Sequence, residues 1–186
     1  KEINEFGKSD NYGGGADGKT LLYYAAELGY GDICRELIKA GANPALKGDR
    51  DCDLAPIVCA GRGGHADALK AFLEVKDKIP QYQLASALSE AATSGRNPGA
   101  KPAETVKLML DAGVNPEWSI YEDKDKKGST PFQTALQYGT KDVVDLFLAK
   151  GLKMPFWAAC KWGDTARMKE HIAQGEDVNK EYSNNI

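Results

Sequence analysis

The chain is predicted to be all-α, a stack of short helix-turn-helix units, and three observations predict it. Apolar residues recur at helical spacing in short runs, first Leu21, Leu22, Ala25 and Ala26, then Ile33, Cys34, Leu37 and Ile38. A glycine stands just past each run, where a left-handed residue ends a helix. The stretch from Asp17 to Asn43, DGKTLLYYAAELGYGDICRELIKAGAN, is then copied imperfectly along the rest of the 186 residues. Two helices this short cannot bury their apolar faces alone, so such a unit is stable only when stacked on neighbours.

Residues 1–16 hold few apolar anchors and a glycine run at Gly13-Gly14-Gly15, and read as a loosely ordered lead-in. In the first unit Asp17-Gly18 is a turn, Thr20 caps a helix that stops at Gly29, Asp32 opens a second helix, and Gly41 ends it. The second unit starts at Ala55-Pro56-Ile57-Val58 and draws its core from Ala60, Leu69, Phe72 and Leu73. It lacks a closing glycine, and Val75 to Pro80 leads straight into the next helix. The third unit, at Ser86-Ala87-Leu88-Ser89, departs furthest. A Pro/Gly loop from Arg96 to Lys101 precedes a helix opened by Pro102, and a long connection through Trp118 and Tyr121 runs into the charged stretch Glu122 to Lys127. The fourth is regular from Thr130-Pro131-Phe132-Gln133. The fifth starts at Met154-Pro155-Phe156-Trp157, and its second helix, Thr165 to Gln174, is polar apart from Met168 and Ile172, as a terminal unit requires.

This pattern resembles the ankyrin repeat, with its DG turn, T-P-L-H tetrapeptide, Ala-Ala pair and closing glycines. The five tetrapeptides are in register with Gly29, Gly64, Gly95, Gly139 and Gly163, and second-helix glycines follow at Gly41, Gly113, Gly151 and Gly175. The resemblance implies an ankyrin-repeat solenoid joined by finger loops, one domain over 17–186, with repeats near 17–50, 51–80, 81–127, 128–151 and 152–180. His65 stands where ankyrin repeats commonly carry a histidine.

A balance of 24 basic against 27 acidic residues gives a net charge of -3 and no footprint for nucleic acid. No apolar run is long enough for a membrane-spanning helix, so no membrane insertion is expected. Of Cys34, Cys52, Cys59 and Cys160, the first and last fall on predicted helices and should pack as small hydrophobes, favouring a reduced, intracellular and cytoplasmic setting. His65 and His171 have no acid at triad spacing, and Gly13-Gly14-Gly15 lacks the lysine of a phosphate loop. Cys52, Cys59 and His65 match no common zinc spacing. No catalytic residue, cofactor or metal is expected.

Binding is the remaining class. The resemblance implies recognition through the finger tips and a concave groove, lined by the two positions before each helix-ending glycine. Those positions are Glu27 and Leu28, Arg62 and Gly63, Thr93 and Ser94, Gln137 and Tyr138, and Lys161 and Trp162. Leu28, Tyr138 and Trp162 are then candidate anchors. Trp118 and Tyr121 offer a weaker site on the long finger. The expected function is a non-enzymatic protein-protein interaction module, monomeric as an isolated domain, with another protein as partner. The alternative is a targeting or regulatory arm of a larger enzyme or effector whose chemistry lies outside these residues.

Overall fold

Thr20 and Thr130 show how the local sequence starts helices here. The Thr20 hydroxyl accepts the Tyr23 amide at 3.2 Å and opens α1 (Leu21–Glu27). Thr130 forms a full capping box with Gln133 at the start of α7 (Pro131–Tyr138). Proline occupies the first turn of α7, of α3 (Pro56–Gly63) and of α6 (Pro102–Asp111), where its missing N–H costs nothing. The remaining helices are α2 (Gly31–Lys39), α4 (Ala66–Leu73), α5 (Gln81–Thr93), α8 (Lys141–Ala149), α9 (Phe156–Lys161) and α10 (Thr165–Ala173). This computed structural model describes residues 2–5, 18–48, 53–121 and 129–181. Among the described residues no strand occurs. The expectations for Gly13-Gly14-Gly15, Asp17, Cys52 and the charged run Glu122 to Lys127 lie outside the described residues.

The helices form two layers. In one, α1, α3, α5 and α7 pack in sequence; in the other, α2, α4, α6 and α8 do the same, and the odd and even helices also pair across the layers. A continuous core runs between them, with Leu22, Ile57, Leu69, Phe72, Leu84, Leu88, Met109, Leu136 and Phe147 almost wholly buried. Ion pairs stitch the even layer from one repeat to the next, Arg35 to Glu74 at 3.1 Å and Lys150 to Asp111 at 2.9 Å.

Several local expectations are corrected. Residues 2–4 of the lead-in form a turn of 3-10 helix, and Asn4 accepts the Asn43 amide at 2.7 Å. Helix α5 starts at Gln81, so Ser86-Ala87-Leu88-Ser89 lies inside it, and its extra turn reaches the first finger, where the Gln83 amide donates to the Ala45 carbonyl at 3.0 Å. Gly95 sits in a 3-10 turn, and Gly139 has a φ of -73°, so neither uses the left-handed conformation of Gly29. Cys160 is exposed on the outer side of α9, whereas Cys34 is fully buried. Ile172 is 46% exposed and α10 has no buried residue, so Met168 alone of that apolar pair packs on the core.

Candidate functional site

The last carbonyls of a helix have no partner within it, and along the ends of the odd helices donors from the next repeat satisfy them. His65, the N-cap of α4, turns its ring back beside Gly29 and Gly63, with Nε2 3.0 Å from the Glu27 carbonyl oxygen. A carbonyl only accepts, so this nitrogen carries the proton. A Cβ on Gly29 would lie 2.6 Å from Nδ1 and one on Gly63 2.2 Å from Nε2, so both positions must be bare for the ring to fit. The Asn97 amide donates to the Arg62 carbonyl. At the far end the Trp162 indole N–H donates to the Leu136 carbonyl at 3.1 Å, and the Lys161 ammonium donates to that of Gln137. Four different side chains thus close helix ends across repeat boundaries.

What this row leaves facing outward is mixed. Leu28 is 56% exposed and Tyr138 55%. Two charged groups of the row are paired: Glu27 with Lys19 at 2.8 Å, and Arg62 with Glu90 through two guanidinium nitrogens, at 3.1 and 3.3 Å. Gln137 is half-buried, as is Trp162, whose ring also takes the Lys161 ammonium 5.8 Å from its centre. Thr93 turns its hydroxyl onto the Glu90 carbonyl, and Ser94 is buried with its hydroxyl on Ala91. On the long finger, Trp118 is 39% and Tyr121 50% exposed, at an arm closed by the Ile120 amide on the Ser129 carbonyl at 3.2 Å. Lys19, Glu90 and Asn97 are participants that sequence reasoning missed. Asn97 had no legible signal, because its acceptor lies 35 residues earlier on another helix.

The two buried thiols offer no activated nucleophile. Burial pushes the Cys34 thiol up to about 11 and raises that of Cys59 as well, against the opposing hydrogen bond with Tyr23, so both stay protonated at neutral pH. Among the described residues no three histidine, cysteine or acidic side chains converge as a metal site, and no helix is long and apolar enough to cross a membrane.

Comparison with known proteins matches the first helix pair and its flanks, residues 17–49, to the ankyrin repeat family. An ankyrin repeat protein of Fowlpox virus (strain NVSL), FPV223, is 28% identical over 73% of this chain and 86% of its own length. The Caenorhabditis elegans ankyrin repeat and KH domain-containing protein mask-1 is 30% identical over 75% of this chain, a match that spans 5% of that much longer protein. Among solved structures, the human ASB11 ankyrin repeat domain shares the fold with a TM-score of 0.58 at 21% identity, over 86% of this chain and 71% of that one. Residues 17–49 thus match the ankyrin repeat family, and the stacked helix pairs around them have the ankyrin-repeat fold; domains of this kind generally serve as protein-protein interaction modules.

Proposed function

We propose that this chain binds another protein across the row of odd-helix ends, with the fingers beside it, and takes no part in catalysis. The observation that carries the reading is the exposure of Leu28 and Tyr138, at 56% and 55%, along a row in which Glu27 and Arg62 are already paired. A partner covering these two gains from displacing water, while the paired charges and Lys161 frame the contact and the half-buried Trp162 ring shapes its far edge. Because the row is built on stacked helices, docking orders little that is not ordered already. Trp118 and Tyr121 on the finger supply a second, smaller contact. The free thiols of Cys34, Cys59 and Cys160 fit a reducing, cytoplasmic setting. A second reading, an interaction arm of a larger protein, is favoured by the relation to mask-1, which joins ankyrin repeats to another domain type.

The test is affinity capture by the wild-type chain beside Leu28→Ala and Tyr138→Ala, with circular dichroism to establish that each variant is folded. Each substitution should weaken a captured partner by about 1–3 kcal/mol, the range for exposed aromatic and aliphatic anchors. If folded variants hold the same partner as tightly as wild type, the row is not the binding site, and Trp118 and Tyr121 become the residues to change.

A further inference from the structure

The outer face of the first helix pair is built like an internal junction. Counting from Gly29 and Gly64, Ile33 corresponds to Ala68, and counting from Gly41, Gly113 and Gly151 it corresponds to Thr105 and Val143. Those three are fully buried, each with a repeat stacked before it, whereas Ile33 is 50% exposed. Leu37 corresponds to Phe72, Met109 and Phe147, all fully buried, and is itself only half-buried. Leu21 corresponds to the buried Pro56 and Pro131 and is 59% exposed. A terminal repeat needs a polar outer face; α10 at the other end has one, and α1–α2 does not.

Residues 2–5 give the direction in which this face continues. Asn4 accepts from the Asn43 amide at 2.7 Å and donates to the Gly41 carbonyl at 3.4 Å, contacts that span 39 and 37 residues. Corresponding residues of successive repeats lie a similar 35 to 38 positions apart, as Ile33, Ala68, Thr105 and Val143 do. Ile3, packed on the core, and Asn4 therefore stand one repeat before Ala42 and Asn43, in the place of a preceding repeat's tail.

We propose that the face formed by Leu21, Ile33 and Leu37 seats another helix pair of the same kind, which runs directly into Ile3 and Asn4 in the same polypeptide. A second copy docking head to tail fits less well, because the opposite end offers a polar helix to an apolar face.

The test places a copy of residues 18–39 immediately ahead of Lys1, which sets each copied residue 39 positions before its original, the separation of Asn4 from Asn43. Thermal unfolding and sedimentation equilibrium are measured on the chain with and without this extension, each as wild type, Ile33→Lys and Leu21→Lys. The extension is expected to raise the unfolding midpoint by several degrees. Either substitution in the original copy should abolish that gain while leaving the midpoint of the unextended chain nearly unchanged. The proposal is overturned if the extension brings no gain, or if the gain survives both lysines. It is also overturned if the unextended chain is a dimer that Ile33→Lys returns to monomer, since a second copy is then the occupant.

Discussion

The junction between α3 and α5 and the junction between the fourth and fifth repeats join the same kind of unit in opposite ways. At the first, Pro56 to Gly61 are all buried, and a Cβ on Gly61 would fall 2.4 Å from the Ala87 carbonyl oxygen, so the two backbones touch. At the second, a cleft of about 100 Å3 remains among Lys141, Val144, Asp145, Met154, Trp162, Gly163 and Asp164, and directed bonds from Trp162 and Lys161 span the gap. Small residues let the middle of the stack close on dispersion and water release. At the end, the core narrows to Met154, Ala158 and Ala159 with Trp157, Trp162 and Met168 against them, and hydrogen bonds supplement it. Stability in a repeat protein is a sum over such junctions, so the last repeat is the first expected to come loose.

The largest test of this contrast removes packing from each side. Leu88, fully buried on α5, should cost roughly 2–5 kcal/mol as Leu88→Ala, through lost transfer energy and the cavity left behind. Ile172→Ala, at a side chain 46% exposed on α10, should stay within about 0.5 kcal/mol. Urea unfolding of both variants reads the difference, and equal costs would mean that the two junctions are packed alike.

A smaller effect isolates one bond at the loose junction. Trp162→Phe keeps most of the ring but removes the indole N–H that reaches Leu136, which should cost about 0.5–1.5 kcal/mol. Amide exchange should quicken in α9 and α10 and remain as in wild type in α3 and α5. Exchange that quickens evenly along the chain would show that the last repeat does not open by itself.

How much of this was legible depended on whether the cause was local. The Thr20 and Thr130 caps and the closing glycines at Gly41, Gly113, Gly151 and Gly175 act within a turn of themselves, and their residue types announce them. Trp162 was legible as a large aromatic in the groove row, but its bond to Leu136, 26 residues earlier, depends on how two repeats meet. The exposure of Ile33 was hidden for the converse reason: the first repeat has the apolar pattern of an inner one, and periodicity does not reveal whether a neighbour is present. Cys160 was misplaced because six residues of α9 give too little period to choose a face.

The subtlest probe uses acid-base chemistry at the loose end. His171 on α10 has its Nδ1 2.8 Å from a Glu176 carboxylate oxygen and its Nε2 2.9 Å from the Met154 carbonyl, with its ring stacked on Phe156 at 5.5 Å. Both neighbours are acceptors, so the arrangement is fully satisfied only when both nitrogens carry protons. The hydrogen bond with Glu176 is the main reason its pKa lies above the ordinary 6.5; partial burial opposes the shift, and Met154 and the charge of Glu170 add to it. A raised folded-state value fixes the sign: the contribution to stability is complete below about pH 6.5 and is lost as pH rises through the folded value. Local unfolding of α9 and α10, followed by limited proteolysis from pH 5 to 9, should therefore become easier toward the alkaline side. His171→Gln should flatten that dependence, and Glu176→Gln should move the imidazole titration, read by NMR, downward. A terminal repeat that tightens as pH rises would show that these bonds of His171 within the fifth repeat do not govern its opening.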